Sequence, residues 1–284
     1  MNFNPEEVYI EVKDYSVSHQ KFQLLYDAEY DILKTHPQPS LDVLSKYYES
    51  DDYISHTDSK RSLFEKVYQI VKTKNVSDKV KLITAANKAT GKLLDIGCGT
   101  GDFLAVANNV GWETVGYEPN EKARSLAQKK DVALVAETSD LADASFDVIT
   151  MWHVLEHVPD VEAQIKELRR LVKPGGTIVI AVPNFKSYDA KYYKNFWAAY
   201  DVPRHLWHFS KTAIRKLFEE QALFLEDVKP MTFDSYYVSL LSEKYKTGKM
   251  NLVKAFWIGF KSNFNAINTR EYSSHIYIIK KDKA

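Results

Sequence analysis

Short runs of apolar and β-branched residues recur through the middle of the chain: Lys92 to Ile96, Glu113 to Tyr117, Val132 to Ala136, Phe146 to Met151 and Thr177 to Val182. Helix-like segments separate them, and this alternation predicts parallel strands in a doubly wound α/β sheet. Between the last two runs, Val161, Ile165, Leu168 and Leu171 recur at helical spacing until Pro174, Gly175 and Gly176 stop the helix. Ser210 is placed to cap a helix carrying Ile214, Leu217 and Phe218, ahead of a sixth strand around Leu225 to Val228. His275 to Lys280 alternates as a last, edge strand.

Two stretches lie outside this alternation. Residues 1–90 precede it and are expected to form a mainly helical cap, leaving 91–284 as the sheet domain. Asp58 and Ser59 can start a helix with Leu63, Phe64, Val67, Ile70 and Val71 on one face, and Val76, Val80 and Ile83 suggest a second helix leading to Gly91. Residues 236–264 form a helical insertion with an apolar stripe of Leu252, Val253, Phe256, Trp257 and Phe260 among Lys249, Lys254 and Lys261. Such a stripe is expected to pack on the sheet or lid a pocket; contact with an anionic membrane or a lipid-linked acceptor is the alternative.

The first strand breaks at Gly97-Cys98-Gly99-Thr100-Gly101 and re-enters a helix. Glycines there lack the β-carbon that blocks close approach, and the amides opening the next helix are unsatisfied donors, so a nucleotide-like ligand suits the turn. The G-x-G-x-x-G spacing of dinucleotide folds fails, because its third glycine falls on Asp102. The second strand ends at Glu118, whose carboxylate can accept hydrogen bonds from both hydroxyls of a ribose.

Taken in order, LLDIGCGTGDFL, VGYEPN, SFDVITMWHVLEHV and LRRLVKPGGTIVIAVPN resemble the class I S-adenosylmethionine-dependent methyltransferases over Leu93 to Asn184. The resemblance implies a Rossmann-like seven-stranded sheet with its last strand antiparallel, S-adenosylmethionine as cofactor and S-adenosylhomocysteine as product. It implies a methionyl site at Asp95, Gly97, Cys98, Gly99 and Gly101, a ribose site at Glu118 with Pro119, and an adenine site near Glu137, Thr138, Met151, Trp152 and His153. Upstream, Thr35, His36, Pro37, Gln38 and Pro39 resemble the T-x-P-x-P turn that follows a cysteine zinc module in some relatives, but no cysteine stands there. Tyr47, Tyr48, Tyr53 and His56 either fold over the cofactor or pack among cap helices.

Composition narrows the classes. With 284 residues, 45% of them hydrophobic, the chain can bury a sizeable core, and its net charge of zero gives no global field for nucleic acid. The acidic start MNFNPEEVYIEVKD is unlike a signal peptide and no apolar run reaches membrane-spanning length, so a cytoplasmic protein is expected, peripheral membrane contact aside. The single cysteine, Cys98, lies in the glycine turn as a packing residue, and no metal is expected.

Beyond Asn184, aromatic residues crowd a run Asp201-Val202-Pro203-Arg204-His205-Leu206-Trp207-His208-Phe209-Ser210 past the carboxyl end of a parallel strand, where ligands bind. This makes 185–210 a candidate loop for a small-molecule or saccharide acceptor; DVPRHLWHFS resembles a stretch of a bacterial subgroup associated with such substrates. Methyl transfer needs an aligned acceptor and removal of its proton. His205 is the first candidate base, oriented by Asp201, with Tyr200, Arg204 and His208 on the acceptor; the other reading makes His205 a brace for the loop. His153 and His157 compete for the same role. Methylation at oxygen is expected. The rival classes are a noncatalytic cofactor-binding scaffold and a nicotinamide-dependent oxidoreductase.

Overall fold

Alternation begins earlier than the glycine turn. Val8, Ile10 and Val12 alternate with Tyr9, Glu11 and Lys13, and in the computed structural model, which describes residues 1–48 and 63–282, they form a strand. This β1 (Val8–Lys13) pairs antiparallel with β2 (Lys21–Asp27), and β2 with β3 (Ile32–His36). The first 36 residues are therefore sheet where a mainly helical cap was expected. Asp14 fixes the turn after β1: its buried carboxylate accepts the backbone N–H groups of Ser16, Val17 and Ser18 at 2.9, 3.1 and 2.6 Å. A short helix, α1 (Leu41–Leu44), follows. Asp58, Ser59, Tyr53 and His56 lie outside the described residues, as do the side chains of Leu63, Phe64, Val67, Ile70 and Val71.

Where two helices were expected before Gly91, one continuous helix, α2 (Leu63–Asn87), leads into the main sheet. That sheet contains β4 (Lys92–Ile96), β5 (Glu113–Tyr117), β6 (Leu134–Val135), β7 (Phe146–Trp152), β8 (Val172–Pro183), β10 (Leu223–Pro230) and β11 (Ser274–Lys281), in the order β10-β11-β8-β7-β4-β5-β6. β11 runs antiparallel to both neighbours, and the pairs among β4 to β8 are parallel. It is not an edge strand. Ser274 to Ile279 are all buried, because β11 is inserted between β8 and β10 and carries apolar side chains on both faces.

Helices cover the sheet on both sides. On one face, Val161, Ile165, Leu168 and Leu171 of α5 (Val161–Leu171) and Ile214, Leu217 and Phe218 of α7 (Lys211–Glu219) enter one core. On the other, Val80 and Ile83 of α2 meet Phe103, Leu104 and Ala107 of α3 (Asp102–Asn109) and Ala127 of α4 (Glu121–Gln128). Ser210 caps α7 as its position predicts, its Oγ accepting the Ala213 N–H at 3.1 Å. After β8 comes a small helix, α6 (Tyr188–Tyr193), and between β10 and β11 lie α8 (Asp234–Thr247) and α9 (Leu252–Thr269).

The amino-terminal sheet is completed by a strand from the other half of the chain. β9 (Trp207–His208) pairs antiparallel with β3, Leu33 opposite His208 and Lys34 opposite Trp207. Thr35 ties the join: its N–H donates to Leu206 O at 3.0 Å, its hydroxyl donates to His205 O at 2.7 Å and lies 3.1 Å from His208 Nε2. All of this is buried, so an isosteric loss of the hydroxyl leaves two polar groups unpaired. Thr35→Val is expected to lower unfolding free energy by about 1 to 3 kcal/mol. Urea unfolding measures it, and an unchanged midpoint would exclude Thr35 as the tie.

Candidate functional site

Register builds the first part of the site. Gly97 and Gly101 adopt φ of 74° and 77°, turning the chain from β4 into α3, and a β-carbon at Gly97 would lie 2.4 Å from the Val154 side chain. The turn is pinned to β5 from below: the N–H groups of Gly97 and Cys98 donate to Tyr117 O at 2.7 and 3.1 Å. One residue on, Glu118 reaches across, accepting the Gly99 N–H at 2.8 Å through Oε2 and the Asn120 N–H at 2.9 Å through Oε1. Each oxygen keeps a lone pair for another donor. A β-carbon on Gly99 would meet nothing within 4 Å, so the turn presents open space beside a carboxylate already fixed in direction.

Asp95 sits deeper than the sequence implies. Its register places it opposite Thr150, whose hydroxyl donates to Oδ1 at 2.5 Å. Burial pushes its carboxyl up to about 7, the Glu118 charge adds to the rise, and the Thr150 hydrogen bond and Lys79 offset it only in part. Cys98 is equally inert: burial, with Asp95 and Glu118 nearby, pushes its thiol up to about 12, so it packs and is no nucleophile. Glu137 and Thr138 follow β6, which pairs Tyr117 with Val135, and so stand at the same sheet end as Glu118 and the exposed Pro119. Met151, expected near an adenine, is instead fully buried in the core. Trp152 is better placed, edge-on to Phe103 at 5.6 Å with Lys79 Nζ 4.3 Å from its ring centre, and its indole N–H is buried without a partner.

His153 follows at φ 56°, between Glu156 Oε1 and Asp234 Oδ2, each at 3.3 Å. Burial disfavours its charge, but the two carboxylates outweigh it and raise the imidazole to about 10. Both ring nitrogens of His153 thus face carboxylates, which leaves neither open toward an acceptor. Asp234 also lines a cleft with Lys79, Leu82, Met231, Phe233 and Ile276, between α2 and the start of α8.

The second part is the run from Tyr200 to Phe209. Asp201 does not orient His205: their closest approach is 3.8 Å, while Asp201 grips Arg204 with both oxygens, at 3.0 Å from Nε. Arg204 is spent on that pair, on Ser16 Oγ at 3.1 Å and on Tyr47 O at 3.4 Å, and so joins the amino-terminal segment rather than waiting for an acceptor. Tyr200 is buried edge-on against Trp197 and His208, at 4.9 and 5.4 Å, and burial raises its phenol. His208 is buried beside Thr35, and burial with the neighbouring His205 holds it neutral. These three residues, expected at the acceptor, are engaged with other parts of the chain: Arg204 with Asp201, Ser16 and Tyr47, Tyr200 with Trp197 and His208, and His208 with Thr35.

His205 remains open at one atom. Its Nδ1 faces Ala199 O at 2.9 Å, which leaves Nε2 without a hydrogen bond. His157 stands edge-on to it, ring centres 4.6 Å apart, with Nδ1 at 3.0 Å from Arg204 O and 2.9 Å from Tyr48 Oη. Burial, then His205, lowers His157 to about 4. Glu156, which with His157 reads from the sequence as scaffold at a helix start, is buried, and neither oxygen accepts a hydrogen bond. Its signal is an acid between two histidines, four residues after the strand end.

A profile of the family described as Methyltransferase domain matches residues 64–224, more than half of the chain. The chain belongs to this family and is an S-adenosylmethionine-dependent methyltransferase of the class I, Rossmann-like type. It is similar to a ubiquinone biosynthesis O-methyltransferase of Thiobacillus denitrificans, 31% identical over 53% of this chain and 72% of that one. It is also similar to a demethylmenaquinone methyltransferase of Staphylococcus aureus, 29% identical over 61% of this chain and 77% of the relative. Among solved structures, magnesium protoporphyrin IX methyltransferase of Synechocystis PCC 6803 shares the fold, with a TM-score of 0.57, 15% identity and coverage of 86% of this chain and 100% of that one.

The charge on His153 supplies a pH test. A group whose pKa rises from 6.5 to about 10 on folding contributes stability that is complete below 6.5 and lost as pH rises through about 10. Asp234→Asn is therefore expected to cost about 1.5 to 3 kcal/mol at neutral pH, with the gap to wild type closing toward pH 10. Chemical unfolding across a pH series reads this, and a gap independent of pH would refute the pairing.

Proposed function

We propose that this chain is a cytoplasmic enzyme that methylates a hydroxyl oxygen of a small-molecule acceptor of the quinone or quinol class. The observation that carries the cofactor half is the Glu118 carboxylate, aimed by the Gly99 and Asn120 amides at the open side of the glycine turn. Glu118 is assigned to the ribose hydroxyls, the 95–101 turn to the methionyl part, and Glu137, Thr138 and Trp152 to the adenine side, where the unpartnered indole N–H offers a donor. S-adenosylmethionine supplies an electrophilic sulfonium methyl. The chain's own task is to hold an acceptor oxygen in line with it and to draw off a proton. His205 is the residue we place at that step, because its Nε2 is held open by the Nδ1 contact with Ala199.

The acceptor class rests on the two quinone-named relatives and on the absence of charged side chains left free in the 200–209 run, where Asp201 and Arg204 neutralise one another. A polyanionic acceptor finds no partner there. Binding and turnover are tested together. Glu118→Ala is expected to weaken S-adenosylmethionine binding by about 1.5 to 3 kcal/mol in calorimetry while the fold persists. Incubation of wild type with labelled methyl donor and a panel of catechols, quinols and saccharides is expected to label the quinols. Labelling of a saccharide alone would move the acceptor to the other class, and cofactor binding without label in any acceptor or in a cell extract would favour a noncatalytic scaffold.

A further inference from the structure

We propose that Glu156, His157 and His205 form a binding site for one divalent transition-metal ion. One ligand atom from each can be chosen so that all three lie within 4.8 Å of one another. Two independent features make this more than a cluster of polar groups. Both histidines are held through Nδ1 by a main-chain carbonyl, Ala199 O for His205 and Arg204 O for His157. That is the arrangement by which proteins fix a metal-binding imidazole, since the pinned nitrogen carries the proton and the other presents its lone pair. Glu156 is buried, and neither of its oxygens accepts a hydrogen bond even though His153 lies 3.3 Å from one of them. An anion so placed leaves coordination capacity unused.

Two imidazoles and a carboxylate suit zinc, manganese, iron or cobalt rather than calcium or magnesium. Ligand atoms around tetrahedral zinc stand about 3.4 Å apart, given bonds of about 2.05 Å, so the three draw in by roughly 1 Å on binding. Three protein ligands leave a position open, which a hydroxyl oxygen can take. Loop 200–209 would then place a metal and the amino-terminal sheet at once. The ion and the acceptor's proton compete for one lone pair, that of His205 Nε2, so a bound ion would displace His205 from the base role given above; the test below concerns the ion alone.

The test uses the full chain stripped with chelator and titrated with zinc by calorimetry, then with cobalt(II) followed by visible absorption. One ion per chain is expected, with cobalt giving ligand-field bands of low coordination number. Glu156→Gln and His157→Gln should each weaken zinc binding at least tenfold, with S-adenosylmethionine affinity retained as the control for folding. No stoichiometric binding, or zinc binding unchanged in both variants, overturns the site.

A different observation carries a second proposal: α9 lies on an anionic membrane surface. Of its large apolar residues Ile258 is buried, and the rest are turned outward. Leu252, Val253, Phe256, Trp257, Phe260, Phe264 and Ile267 are all exposed, with Val253 at 70%, whereas Ala255, Gly259, Ser262 and Ala266 face the protein. The expectation that the stripe packs on the sheet is thus reversed. The reason is contact distance: a β-carbon at Gly259 would lie 2.9 Å from the Tyr236 backbone, so only the face of small residues can meet α8. Phe256, Trp257, Phe260 and Phe264 form a continuous aromatic surface, adjacent ring centres 5.9 to 6.3 Å apart. No acidic residue occurs along α9, and exposed Lys244, Lys246, Lys249 and Lys261 border it.

That charge selects the occupant. Two copies facing through this surface would oppose like charges, while anionic headgroups complement them and the aromatic face enters the acyl boundary. The chain is expected to cosediment with vesicles of phosphatidylcholine and phosphatidylglycerol but not with phosphatidylcholine alone, with Trp257 emission moving to shorter wavelength. The exposed double variant Phe256→Ser, Phe260→Ser should lose at least tenfold in vesicle affinity at unchanged melting temperature. Dimer formation without vesicle binding in sedimentation, or vesicle binding equal in the variant, overturns it.

Discussion

The segment Asp201 to Phe209 is held from both sides, and the rest of the site depends on that. Leu206 accepts the Thr35 N–H and donates its own N–H to Glu156 O at 2.7 Å, so the amino-terminal sheet, the 200–209 loop and the turn after β7 share one residue's main chain. Trp207 adds an indole N–H to Val158 O at 2.8 Å. Buried main-chain groups must find partners, and here these three regions are each other's partners. The imidazoles of His157 and His205 meet because the backbone that carries them is already committed.

Charge is arranged by the same economy of burial. Asp95 has risen toward neutrality beside the glycine turn, leaving Glu118 as the carboxylate held by two amides. The two carboxylates at the turn thus differ, one oriented by main-chain amides and the other responsive to pH. Around the 200–209 loop the charges close on themselves: Asp201 with Arg204, and His153 with Asp234. Closed pairs strengthen the frame and take their members out of chemistry, which is why several residues selected for their type turn out to brace rather than react.

Legibility followed the range of the interaction. The seven main strands, the Ser210 cap and the core face of α5 were readable because strand period, helical spacing and capping are set by residues a few positions apart. The glycine turn and Glu118 were readable for a related reason, since β4 and β5 are adjacent in space and nearly adjacent in sequence. The amino-terminal sheet was also written locally, in the alternation of Val8, Ile10 and Val12.

The sequence by itself determined the class of fold, the cofactor and the position of the turn that receives it, because each rests on backbone conformations that glycines and short-range pattern dictate. Only the tertiary structure decided what the side chains of 200–209 do. Thr35 and His208 are separated by 173 residues along the chain, and Glu156 and His205 become neighbours only when β9 joins β3. It likewise decided which face of α9 is turned outward, since hydrophobicity favoured one face and close packing of Gly259 on Tyr236 required the other. Pattern reports what a segment prefers; the partner it docks against sets which preference is met.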